Sequence, residues 1–122
     1  MKSRVLVRSL LGVAALAVAI PTIAQVTKAR YGAFGIVNPM AAMAKAVTDL
    51  YAVEAPKKPK TTYSASVTGG GTSVNSIPHD VFMEFDMRSE SAAELAKLDQ
   101  TLIGILDKAV ASENAARSTR AG

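Results

Sequence analysis

"VTGGGTSVNSIPHDVFMEFDMRSES", residues 67–91, decides how the rest of the chain is read. Val81, Met83, Phe85 and Met87 alternate with Glu84, Asp86 and Arg88, the period-two pattern of a strand with one buried face. Upstream, Thr61 to Thr68 alternates too, with Tyr63, Ala65 and Val67 on one side and Thr62, Ser64 and Ser66 on the other. The connection between the two strands opens on three glycines, passes Asn75 and is stiffened by Ile77-Pro78. Glycine would serve a phosphate cradle, a plain hairpin or a loop that approaches a substrate closely.

Helices flank this pair. Asn38-Pro39 reads as a helix start, because an amide side chain caps and proline suits the first helical position. Met40, Met43, Val47 and Leu50 then recur at helical spacing, and Pro56 with the Lys57-Lys58-Pro59-Lys60 cluster ends the helix in a solvated turn. Ser91 with Glu94 makes a capping box for a second helix, whose face is Leu95, Leu98, Leu102, Ile105, Leu106 and Ala109. From Ser112 onward the pattern dissolves into a polar tail. Strand material also precedes the first helix, from Ile23 to Arg30. Two helices gathered on one face of an antiparallel sheet give an α+β fold, nearest to an incomplete ferredoxin-like two-layer sandwich. With only two clear strands the sheet would be marginal, which predicts self-association or loose packing.

The 122 residues suffice for one modest domain. The net charge of +4 is concentrated at the N-terminus, where Lys2, Arg4 and Arg8 lie. Without those three the balance is 11 basic to 10 acidic residues, with no basic stripe and few aromatics, which argues against a nucleic-acid partner. The basic leader precedes an apolar run from Leu10 to Ile20 and a small-residue exit at Thr22-Ile23-Ala24, the layout of a secretory signal. Eleven apolar residues fall short of the roughly 20 that span a bilayer. The expectation is a signal peptide over 1–24, a mature domain over 25–122, and a periplasmic or secreted product without a stable membrane anchor.

Catalytic chemistry finds little material. Zinc catalysis takes about three protein ligands, usually with histidine among them, and the chain has one histidine, His79, and no cysteine. No nucleophile-elbow spacing surrounds Ser73 or Ser76, and the glycine loop lacks the lysine and following helix of a phosphate-binding loop. Catalytic residues, metal ligands and cofactors are therefore expected to be none. Two residues remain as candidates for binding. Asn75 sits in the glycine-rich loop, and Arg88 carries a planar fork suited to a carboxylate. The plainer alternative for Arg88 is an ion pair with Asp86 or Glu84.

The motif GGGTSVNSIPHDVFMEFDMRSES, with YGAFGIVNPM upstream, resembles the lid or dimerisation domain of the co-catalytic zinc peptidases of family M-20, the aminoacylase and glutamate carboxypeptidase group. The resemblance runs from about Tyr31 to Gly122. It implies a ferredoxin-like lid that pairs with a second lid and is inserted in a zinc-binding catalytic domain. It also implies that the residues matched by Asn75 and Arg88 hold the substrate carboxylate. On this reading the two catalytic halves are missing, and Ala29 stands where the family has a histidine that reaches its partner's active site. The expected function is thus an exported, non-catalytic lid fragment that self-associates or docks with a related hydrolase. The alternatives are a stand-alone module for small carboxylates, or a lid acting in trans with a separate catalytic half.

Overall fold

Among the described residues three strands and two helices follow one another in the order β1 (Ile23–Gly32), α1 (Pro39–Leu50), β2 (Thr61–Gly70), β3 (Asp80–Ser89) and α2 (Ala92–Arg117). The computed structural model describes residues 21–32 and 37–117. The expected signal segment therefore lies, up to residue 20, outside the described residues, as do residues 33–36 of the upstream motif. The sheet is antiparallel throughout, with β3 in the centre and the order β1-β3-β2.

β3 is central because its sequence can be buried on one face and paired on both edges. Val81, Phe85 and Met87 are fully buried and face the helices. They meet Met43 and Leu50 of α1 and Leu95, Leu98 and Leu102 of α2 in one continuous core. Among the described residues no helix lies on the opposite face of the sheet.

The strand material ahead of α1 forms a complete third strand. All ten residues of β1 pair with β3, from Ile23↔Ser89 to Gly32↔Asp80. Its polar core-side residues are satisfied rather than stranded: Gln25 Nε2 and Thr27 Oγ1 both donate to Asp99 Oδ1 of α2, at 2.9 and 3.1 Å. Tyr31 donates to the Leu106 carbonyl at 2.6 Å. The sheet is thus three-stranded and not the marginal two-stranded one that the clearest patterns suggest.

Three local departures have physical causes. In β2 the register slips between Ala65 and Val67, leaving Ser66 as an extra residue. Such a bulge inverts the alternation beyond it, so Tyr63 and Ala65 pack against the core while Val67 turns outward, 49% exposed. Helix α1 ends at Leu50, capped by Tyr51, well before Pro56. Its buried face is Ala42, Met43, Ala46 and Leu50, with Met40 exposed; the alanines let α1 lie close to its neighbours. Helix α2 runs on past Ser112 to Arg117 because Glu113 is drawn inward. Glu113 is buried, accepts the Asn38 backbone N–H at 2.9 Å, and pairs with Arg117 one turn on.

The expected caps form. Asn38 Oδ1 accepts from Met40 N at 2.9 Å, with Pro39 at the first helical position. Ser91 Oγ accepts from Glu94 N at 3.3 Å. The return half of that capping box is replaced by Ser89 Oγ, which accepts from Ser91 N at 3.0 Å.

Candidate functional site

The glycine loop leaves the sheet at Gly70 and rejoins it at Val81. Gly70 and Gly71 both have positive φ, +128° and +86°. A Cβ on Gly70 would lie 2.8 Å from Val81 Cα and against the Asp80 carbonyl, so both backbone shape and space require glycine there. Beyond them, Ser73 organises the loop: its hydroxyl donates to Asn75 Oδ1, and its carbonyl accepts from Ser76 N at 3.4 Å. Asn75 is exposed, as are Val74 and Ile77 on either side.

Arg88 lies at the other end of β3, paired across the sheet with Thr62 and Ala24. Seven residues separate it from Val81, roughly 23 Å of strand. No hydrogen bond joins Asn75 and Arg88; each bonds within its own neighbourhood. The Arg88 Nε donates to Asp86 Oδ2 at 2.8 Å, the ion pair that the plainer reading anticipates. Its side chain is more than half exposed and borders an open cleft of about 360 Å³ with Thr22, Lys60 and Thr62. Lys60 enters this cleft from the lysine cluster, which sequence reasoning treats only as a solvated turn. The signal was present as charge, but only the β2–β3 register puts it beside Arg88.

His79 is exposed, and the carboxylate of neighbouring Asp80 is held by Arg30. Among the described residues no group of three or more His, Cys, Asp or Glu side chains could hold a metal ion. No helix among them is long and apolar enough to cross a membrane.

What the molecule does build with care is a sheet with two unlike edges. Along β2 the outward N–H of Thr61 is taken by the Pro56 carbonyl at 3.1 Å, and that of Ala65 by the Tyr51 hydroxyl at 3.1 Å. Tyr51 is itself set edge-on against Tyr63, with ring centroids 5.7 Å apart. No comparable backbone or side-chain cover reaches the outer edge of β1 from any described residue. Val26 and Ile23 are exposed on that strand.

Comparison with known proteins gives these features a context. Residues 27–114 match the family model described as the peptidase dimerisation domain. No curated protein sequence matches the chain. Among solved structures, an aminobenzoyl-glutamate utilization protein from Klebsiella pneumoniae is similar at 20% identity and a TM-score of 0.61, over 76% of this chain and 25% of that one. A dinuclear metal-binding peptidase of family M-20 from Bacillus subtilis gives 20% and 0.56, over 74% and 23%. A hydantoinase/carbamoylase family amidase from Burkholderia ambifaria gives 19% and 0.58, over 76% and 24%. These likenesses establish a shared fold, and the chain spans about a quarter of the length of each of these structures.

Proposed function

The chain belongs to the peptidase dimerisation-domain family of the M-20 hydrolases, and from that premise we propose that it is an exported, non-catalytic lid whose work is association. The observation that carries the proposal is the extent of the match: residues 27–114 take in nearly all of the three-stranded sheet and both helices. The partner is a second copy or the catalytic part of a related hydrolase. Hydrolysis of peptide or N-acyl bonds, with its zinc, belongs to that catalytic part, since this chain offers a single histidine and no cysteine. Export is supported by Lys2, Arg4 and Arg8 ahead of the apolar run that ends near Ala24.

Within the same proposal, Asn75 and Arg88 contact a small carboxylate. Arg88 supports this best, because it lines the cleft shared with Lys60 while its Nε is held by Asp86. The two residues stand at opposite ends of β3. The same cleft supports the second reading, a stand-alone carboxylate-binding module.

Sedimentation across a concentration series tests the main proposal: a dimer at micromolar concentration is expected, and a monomer at every concentration would overturn it. Mass spectrometry of the exported product should find a chain beginning at Gln25. An intact Met1 terminus held in the membrane fraction would refute export.

A further inference from the structure

Three asparagines stand in the sequence, at 38, 75 and 114, and their surroundings give them different chemical fates. We propose that Asn75 is a self-modifying site, at which the backbone nitrogen of Ser76 attacks the Asn75 side-chain amide. The product is aspartate or isoaspartate, formed through a succinimide, and the Ser73 hydroxyl activates the amide.

The reaction balances within the loop, with water as the one co-reactant. Ser76 N gives up its proton to solvent base and bonds to Asn75 Cγ, closing a five-membered ring. The Cγ–Nδ2 bond breaks, and the side-chain nitrogen leaves as ammonia. Water then opens the succinimide at either carbonyl, giving aspartate or isoaspartate without oxidant or reductant. Negative charge develops on Oδ1 as the new bond forms, so a donor aimed at that oxygen lowers the barrier.

The loop meets each requirement. Asn75 and Ser76 are both exposed, so base and water reach them. Ser73 Oγ donates to Asn75 Oδ1, the oxygen on which that charge appears. Among the described residues none holds Asn75 Nδ2, the group that must leave. The attacking Ser76 N is engaged only by a long bond of 3.4 Å to the Ser73 carbonyl. Every hydrogen bond that Ser73, Asn75 and Ser76 make to described residues stays among these three, so the turn can change shape without disturbing the sheet. Serine at 76 also leaves its own nitrogen open to approach, where a β-branched side chain would crowd it.

The other two asparagines are built-in controls. Asn38 precedes Pro39, whose nitrogen carries no hydrogen to give up, and its Oδ1 is engaged by Met40 N at 2.9 Å. Asn114 lies inside α2, where the N–H of Ala115 is tied to the carbonyl four residues back. Local structure therefore singles out Asn75.

Modification changes what the loop can hold. A negative charge appears where Asn75 is read as touching a carboxylate, and like charges brought together are unfavourable. That consequence rests on the carboxylate reading; the modification itself does not. Isoaspartate also reroutes the main chain through the side-chain methylene between Ser73 and Pro78.

Peptide mapping by mass spectrometry, after the purified chain is aged in warm, mildly alkaline buffer, tests the chemistry. The peptide holding Asn75 should gain the mass difference between water and ammonia and split into two isomers, while those holding Asn38 and Asn114 stay unchanged. Ser76→Pro, which removes the attacking N–H, should abolish the conversion. Should proline disturb the turn, Ser76→Val should still slow conversion several-fold. Ser73→Ala should slow it several-fold with an unchanged circular dichroism spectrum, and Ser73→Thr, which keeps the hydroxyl, should restore it. An Asn75 that survives ageing, conversion as fast at Asn114, or conversion that persists in Ser76→Pro would overturn the proposal. Equal rates in wild type and Ser73→Ala would overturn the part given to Ser73. N-acetylglycine, titrated by calorimetry, should bind the fresh chain at least tenfold more tightly than the aged one. Binding to neither would overturn the carboxylate reading and leave the modification standing.

Discussion

The two faces of the sheet share the same three strands and hold their residues by opposite means. Under the helices, Val81, Phe85 and Met87 have no exposed surface and are gripped by apolar side chains from both helices. On the open face the same strand carries Phe82, Glu84, Asp86 and Arg88, and order there comes from charge. Lys28 meets Glu84, Arg30 meets Asp80, Arg88 meets Asp86, and Lys28 lies over the Phe82 ring. Even the glycine at position 69 fits this face, since a Cβ there would press on the Phe82 ring at 2.7 Å. Apolar burial contributes roughly 25 cal/mol per Å², whereas an exposed ion pair contributes about 0–1 kcal/mol. The covered face holds the fold, and the ion pairs of the other face fix how its cations point.

Three measurements would break or sharpen that contrast. Phe85→Ala opens a cavity in the middle of the covered face and should cost about 3–5 kcal/mol in urea unfolding. A cost under about 1 kcal/mol would mean the core does not close around β3 as described. Tyr31 lies on the covered side of the edge strand, and its phenol loses one hydrogen bond in Tyr31→Phe, for about 1 kcal/mol at neutral pH. Burial, aided by nearby Asp107, raises the Tyr31 phenol from 10.0 to about 12. Because the folded state favours the protonated form, its contribution is complete below pH 10 and is lost as pH rises toward 12. Melting temperature should fall across that window, and fall less in Tyr31→Phe; equal slopes in both chains would assign the loss to other groups. The smallest effect is expected on the open face, where Lys28→Ala should change stability by about 0.5 kcal/mol. A loss above about 2 kcal/mol would show that this face is structural after all.

Legibility in the sequence follows the same divide. The covered face could be read because apolar alternation and helical spacing are its cause: Val81, Phe85, Met87, Leu95, Leu98 and Leu102 are all where the pattern puts them. The caps at Asn38 and Ser91 were legible for an equally local reason. The full extent of β1 was harder to read, because Gln25 and Thr27 look wrong for a buried face until Asp99, distant in sequence, receives them. The Ser66 bulge leaves no compositional mark, so simple alternation puts Val67 on the side opposite to the one it takes. Asn75 and Arg88 were legible as a motif, but their separation along β3 is a consequence of register, which spacing in sequence does not convey.

The central position of β3 has a further consequence, for the order of assembly. Its pairing with β2 is closed by the short Gly71–His79 loop, whereas its pairing with β1 must bring Ile23 to Ser89 across most of the domain. The stretch closed between Gly32 and Asp80 is about five times longer, which adds about 1.4 kcal/mol of closure entropy, and such distant contacts slow a fold's formation. We expect the hairpin and the two helices to condense first and β1 to be sealed in last. Refolding should then keep pace with protection of the β1 amides against hydrogen exchange. Because β1 is the strand nearest the N-terminus, anything that holds back that end of the chain would also hold back completion of the fold.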